Sequence, residues 1–416
     1  APAPDAPPAA PAPPAAPIHP APPRPPACAD LASCTAGCAS CGEACSAAAA
    51  AACKELGELY LRGEDTFDLS AAAAAFDKGC SGGRGDACAA LGSQAQDGRG
   101  VAFDEARAAT LYERGCDLGA GVGCFNRAMM HAAGLGPDAN PALAQAWYDR
   151  ARVAYTAACN DGDGAWCMNL GVMFEMGLGV PRRPAAASEI YRKACDAGHA
   201  DSCVNGALME VHGDVPSQGD PLARMAAACG AGSAVGCGSL GQLLARARPD
   251  QPRDLKRALP LLHDACFGGF KQACGALGAV LTTSGVPRAE DQVRLLERRG
   301  CDLGDSEACL VLGLLTEPDD LQADASVAVG WFRRACQIGN AEGCARLAGH
   351  LHLGVGVPTD REAAGWALVR SCSTGLEAAC QEVIRQGLPL EVPPDVATRL
   401  RQAACAAGIE QGCSSP

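Results

Sequence analysis

Residues 167–203 read CMNLGVMFEMGLGVPRRPAAASEIYRKACDAGHADSC, and this stretch decides the fold. After Cys167 the apolar residues Leu170, Met173 and Phe174 fall at +3, +6 and +7, with Gly171 at +4. That is the spacing of one face of a helix. Gly177-Leu-Gly-Val180 then breaks the run, and a second amphipathic stretch carries Tyr191 and ends at Cys195. Three residues further on stands Gly198, where a helix that closes in a left-handed residue tolerates no Cβ. The next helix begins just before Cys203. On one continuous helix, Cys195 and Cys203 would be separated by about 12 Å. Across a hairpin their Cα atoms come within the roughly 4.4–6.8 Å that a disulfide requires.

The same grammar extends in both directions. From Cys80 onward every cysteine belongs to a pair with seven residues between its members. The pairs are Cys80/Cys88, Cys116/Cys124, Cys159/Cys167, Cys195/Cys203, Cys229/Cys237, Cys266/Cys274, Cys301/Cys309, Cys336/Cys344, Cys372/Cys380 and Cys405/Cys413. Their spacing is 33 to 37 residues, except for 43 between Cys116 and Cys159. A Gly always follows the first cysteine by three, from Gly83 and Gly119 to Gly375 and Gly408. Such a period marks a solenoid of two-helix units, here with a cysteine bridge from each second helix (B) to the next first helix (A). The seven extra residues near Pro141 are nearly two helical turns, so the spacing predicts one long B helix over Ala142 to Ala158.

The run Leu-Gly-x-x-Tyr/Phe-x-x-Gly-x-Gly-Val, followed by an Ala-rich helix ending in Cys-Asp-x-Gly, resembles the Sel1-like repeat. With a cysteine pair in every unit, the chain resembles the Helicobacter cysteine-rich branch of that family. The resemblance implies an all-α, TPR-like α/α solenoid, a right-handed superhelix of about ten helix-turn-helix repeats with a disulfide ladder. Stretches near Gly206–Val215, Gly241–Pro249 and Gly313–Glu317 lack the Gly-x-Gly-Val turn, and local departures are expected there. For the cysteine-rich branch the resemblance also implies β-lactam binding or weak β-lactam hydrolysis as an alternative activity. The sequence holds no Ser-x-x-Lys, and none of its five Lys follows a Ser by three. No other nucleophile, P-loop or metalloprotease motif is found, so an enzyme is not expected, and neither a cofactor nor a metal.

Four segments follow from composition. Residues 1–27 hold 13 of the 29 Pro and read as a Pro/Ala-rich disordered tether. Residues 28–52 read as a Cys-rich helical cap, 53–394 as the repeats, and 395–416 as the last helix and C-terminal cap. In the cap, Cys34, Cys38, Cys41 and Cys45 form one helical stripe, while Ala48 replaces the turn glycine and argues against a Cys45/Cys53 hairpin bridge. The units are Ala-rich and short of large side chains, so apolar burial per repeat is small. A bridge closing a nine-residue loop adds about 2.6 kcal/mol and makes up for that deficit. Twenty-six Cys in this pattern suit an oxidising compartment: periplasm, outer-membrane surface or exterior. A lipid anchor upstream of Ala1 is compatible with that location. No window is apolar enough for a membrane span, and a formal charge of -13 argues against nucleic acid.

The expected role is a non-enzymatic scaffold that binds a protein or an extended peptide along its A helices. Asn126, Asn169 and Asn205 each stand two residues after the second cysteine of a pair, in three successive A helices. That slot lies about 200° around the helix from the cysteine, away from the Leu/Gly/Tyr core stripe, and a row of amides offers donors and acceptors to a chain. All seven Met fall between Met129 and Met225. Met129, Met176 and His212 occupy slots outside the core spacing and complete the expected groove.

Overall fold

The glycine that follows each first cysteine reverses the chain. In the computed structural model Gly83, Gly119, Gly162, Gly198, Gly232, Gly269, Gly304 and Gly339 all have φ between 84° and 96°. Only glycine adopts such values without strain. The structure describes residues 47–62, 67–246, 253–283, 289–318, 325–374, 376 and 378–379. Among these residues it contains eighteen helices and no strand. The A helices are α1 (Ala47–Tyr60), α3 (Gly85–Asp97), α5 (Gly121–Ala133), α7 (Gly164–Met176), α9 (Ala200–His212), α11 (Ala234–Ala245), α13 (Lys271–Thr283), α15 (Ser306–Thr316) and α17 (Ala341–Leu353). The B helices are α2 (Leu69–Ser81), α4 (Glu105–Asp117), α6 (Pro141–Asn160), α8 (Pro184–Asp196), α10 (Pro221–Gly230), α12 (Leu255–Phe267), α14 (Ala289–Asp302), α16 (Ser326–Gln337) and α18 (Arg361–Ser373).

Local chemistry sets the helix ends. Asp68, Asp104, Asp163, Asp220, Asp254 and Asp360 each accept backbone N–H bonds at an N-terminus. Gly98, Gly134, Gly177, Gly213 and Gly354 close A helices in the left-handed conformation. The stretches lacking the Gly-x-Gly turn do depart: α11 and α15 end in extended residues, Arg246 and Glu317. Near Gly206–Val215, however, Gly213 still supplies the left-handed cap.

The ladder is as expected. Cys80–Cys88, Cys116–Cys124, Cys159–Cys167, Cys195–Cys203, Cys229–Cys237, Cys266–Cys274 and Cys336–Cys344 are bridged, with Cα atoms 4.4 to 4.8 Å apart. Cys53, Cys301, Cys309 and Cys372 are also disulfide-bonded. Cys28, Cys34, Cys38, Cys41, Cys45, Cys380, Cys405 and Cys413 lie outside the described residues. So do the 1–27 tether, all of the 28–52 cap before Ala47, and the 395–416 terminus. The helix α1 begins at Ala47 and so runs across the expected cap boundary.

Contacts divide the chain into two compact bodies, the first ending at Leu303 and the second starting at Gly304. In the first body each helix packs on the next. Successive A helices also touch: α3 with α5, α7 with α9, α9 with α11 and α11 with α13. Distant hairpins of this body meet as well. The Arg99 guanidinium donates to the Leu303 carbonyl at 3.1 Å, and that of Arg299 lies 3.8 Å from the centre of the Phe67 ring. In the second body Phe332, Leu347 and Leu351 form the core with Ala328 and Val329. Its Glu317 accepts from Arg346 and contacts His350.

The long helix is present. α6 has 20 residues, against 10 to 14 in the others. Tyr148 and Tyr155, seven apart, are both buried, so two extra turns leave the buried face in phase.

Candidate functional site

Four residues before each first cysteine, the B helix presents a side chain to the A helix before it and to the A helix after it. In three successive bridges this residue is tyrosine: Tyr112, Tyr155 and Tyr191. A small residue must lie beneath each ring. A Cβ on Gly92 would sit 2.7 Å from the Tyr112 ring, and one on Gly171 would sit 2.4 Å from that of Tyr191. The phenol oxygen then reaches a residue four further along the same A helix. Tyr112 donates to Gln96 Oε1 at 2.7 Å, and Tyr191 donates to Glu175 Oε2 at 2.7 Å. From the far side Asn126 approaches the Tyr112 hydroxyl, and Asn205 that of Tyr191, near enough for each amide to act on the phenol. Each set of three residues forms a polar rung between neighbouring A helices. Burial pushes the Tyr112 and Tyr191 phenols well above their ordinary range, so both act as neutral O–H groups. Burial also raises the Glu175 carboxyl, against the lowering contributed by the Tyr191 bond.

The third rung is built differently. Tyr155 rests on Gly121, where a Cβ would sit 2.7 Å from its ring. Relative to the bridge in the same A helix, Gly121 is seven residues earlier than Gly92 or Gly171, which is the length of the insertion in α6. Four residues on from Gly121 is Phe125, which accepts nothing. Its ring lies 6.3 Å from that of Tyr155. The Tyr155 hydroxyl and both amide atoms of Asn169 are therefore buried without a hydrogen-bond partner. Trp166 stacks on Tyr155 at 5.6 Å, and Phe125, Tyr148, Trp147 and Phe174 complete an aromatic cluster.

These contacts correct the expected groove. Asn126 is 7% exposed and Asn169 1%, so the slot two residues after the bridge does not lie away from the core. The hairpin folds the preceding B helix over it, and Asn126 meets Tyr112 rather than solvent. Asn205 is half-buried, as are Met129 and Met176, and His212 is exposed. Met129 contacts the Tyr148 hydroxyl through its sulfur at 2.9 Å, and burial pushes that phenol up to about 12. His212 is the smallest of the influences that lower the Glu175 carboxyl. The Tyr–Asn pairing is the feature that the sequence reading missed. Its signal was present, because each Asn follows its Tyr by fourteen residues and neither occurs in that slot elsewhere in the repeats from Cys80 to Cys344.

A charged cluster borders the long helix. Arg127, 1% exposed, pairs with Glu113 at 2.9 Å and with Asp138. Beside it, buried His131 accepts the Asn140 N–H through Nδ1 at 3.1 Å. Burial and the neighbouring Arg127 hold His131 below the ordinary imidazole value. Among the described residues no group of three or more His, Cys, Asp or Glu is arranged to hold a metal ion. No helix among them is long and apolar enough to cross a membrane.

Stacked helical hairpins, a bridge at each B-to-A turn and polar rungs between A helices define an α/α repeat protein. The Sel1 repeat family model matches residues 50–74, 85–119, 121–152, 167–199, 306–340 and 341–366, so the chain carries Sel1 repeats at these six segments. Solved structures similar to it include a protective antigen present in uropathogenic Escherichia coli strains and displaying an SLR fold. That structure is 23% identical, with 92% of this chain and 90% of that chain covered and a TM-score of 0.43. A Sel1 repeat protein from Oxalobacter formigenes is 19% identical, covering 81% of this chain and 86% of its own, at a TM-score of 0.35. An immunity protein from Pseudomonas aeruginosa is 18% identical, covering 52% and 83%, at 0.34. No curated protein matches the chain.

Proposed function

We propose that the chain is a non-enzymatic scaffold of an oxidising compartment that holds an extended segment of a partner protein along α5, α7 and α9. The observation that carries this reading is the placement of Met129, Met176 and His212. They stand half-buried or exposed on three successive A helices whose B-to-A turns are each held by a disulfide. Met side chains adapt to varied apolar groups. A bridged framework of this kind loses little conformational freedom on binding. Behind them the Tyr191 rung ties α7 to α9.

The test is site-specific photocrosslinking. A benzophenone side chain at Met176 or His212 should trap a defined protein adduct in cells, whereas one at exposed Val153 on α6 should not. Equal labelling from both positions, or none from Met176 and His212, overturns the reading. The compartment is checked separately. Alkylation under denaturing, non-reducing conditions should leave the bridged cysteines unlabelled in the native protein, and extensive labelling would place the chain in a reducing environment.

A further inference from the structure

Residues 134–140 join α5 to α6 and run along the surface, with Pro137, Asp138 and Asn140 exposed. Side chains of the two flanking helices hold this strap. The Gly136 N–H donates to Glu105 Oε2 on α4 at 2.9 Å, and Asp138 pairs with Arg127 on α5. The Asn140 N–H donates to His131 Nδ1 at 3.1 Å, while Asn140 Oδ1 accepts the Ala142 N–H at the start of α6. A backbone N–H can only donate, so Nδ1 is bare and the His131 proton sits on Nε2. Protonation reverses that bond. An imidazolium carries N–H at both nitrogens, and Nδ1 then turns a hydrogen toward the Asn140 N–H. The new charge also faces buried Arg127 on its own helix, offset in part by Asp138 in the strap and Glu113 on α4. From α6, Arg150 adds a guanidinium over the Trp147 ring, which lies 6.2 Å from that of His131.

We propose that residues 134–140 form an acid-opened strap, released when His131 takes up a proton and can no longer accept from Asn140. His131 is 1% exposed in the closed form, so the proton enters as the strap lifts. Release uncaps α6 and frees its first turns, which carry Trp147 and Tyr148. The Tyr148 hydroxyl meets the Met129 sulfur, so the strap links one residue of the proposed groove to pH. Only that last link rests on the scaffold reading, because the strap is defined by His131, Asn140 and their neighbours.

The test is amide hydrogen exchange in the intact disulfide-bonded protein, followed against pH and corrected for intrinsic exchange. As pH falls below the ordinary imidazole value, protection of the Asn140 and Gly136 amides should drop together, by up to about tenfold per pH unit, the limit for one proton. The Ala120 N–H, which donates to the Gly115 carbonyl in the preceding turn, should keep its protection. His131→Gln should abolish the dependence. Nitrogen-15 NMR of the His131 ring in the unaltered protein needs no variant, and should show a bare Nδ1 and a protonated Nε2 at neutral pH. A protonated Nδ1, constant protection of Asn140, or an equal loss at Ala120 overturns the proposal. So does a pH dependence that survives in His131→Gln, which would assign it to Glu105, Glu113 or Asp138. No partner is needed in these measurements. An open strap with failed crosslinking sinks the scaffold alone, and the converse sinks the strap alone.

Discussion

The rungs around Tyr191 and Tyr155 use the same residue types at the same distance from their bridges, yet one is complete and the other is not. Tyr191 rests on Gly171, donates to Glu175 and has Asn205 near its hydroxyl. Tyr155 rests on Gly121, faces Phe125 and leaves Asn169 unpaired. The difference comes from neither tyrosine nor asparagine. A seven-residue insertion lengthens α6 by nearly two turns, and Tyr155 meets α5 seven residues earlier than Tyr112 and Tyr191 meet their A helices. A solenoid transmits an insertion as a change of partner, because the helix face stays in phase while its level along the neighbour does not.

The comparison breaks most severely at the glycines. Gly171→Ala places a methyl group 2.4 Å from the Tyr191 ring and should cost about 2 kcal/mol, read as a lower urea midpoint. Gly121→Ala should cost a similar amount, at 2.7 Å from Tyr155, because both rungs share the steric half of the design. The hydroxyls separate the two rungs next. Tyr191→Phe strands Glu175 and should cost about 1–2 kcal/mol. Tyr155→Phe removes a hydroxyl that has no partner in the free protein, so its midpoint should be unchanged or raised by up to about 1 kcal/mol.

Titration gives the smallest effects and sharpens the contrast. The Glu175 carboxyl is raised by burial, so its contribution is fully present below the ordinary carboxylate value and is lost as pH rises through the raised one. Tyr191→Phe removes the bond that lowers it, so its carboxyl carbon signal should titrate at still higher pH. His131 works in the opposite sense at the edge of the offset rung. Its folded value is depressed, so stability holds above the ordinary imidazole value and declines as pH falls toward the lower one. His131→Gln should flatten the stability profile across that window, measured by thermal unfolding at graded pH.

Much of this molecule was legible in advance. Cysteine offset, turn glycine and helix periodicity are all properties of segments shorter than forty residues, and they named the seven bridges seen among the described residues. The length of α6 was legible for the same reason. The asparagine row was visible, but its meaning was not. Angle around one helix placed Asn126 and Asn169 away from the core, and only the preceding B helix, folded across that face, buries them.

The sequence by itself determined the repeat, the polarity of each hairpin and the ladder that ties them, because those depend on φ at a glycine and on residues eight apart. Tertiary structure alone decided which oxygen meets which phenol, where the first body ends at Leu303, and that Arg99 reaches the Leu303 carbonyl across 204 positions. Such contacts sum small rotations and offsets over many hairpins, including the slip at α6. A uniform period therefore does not reveal which distant residues come together.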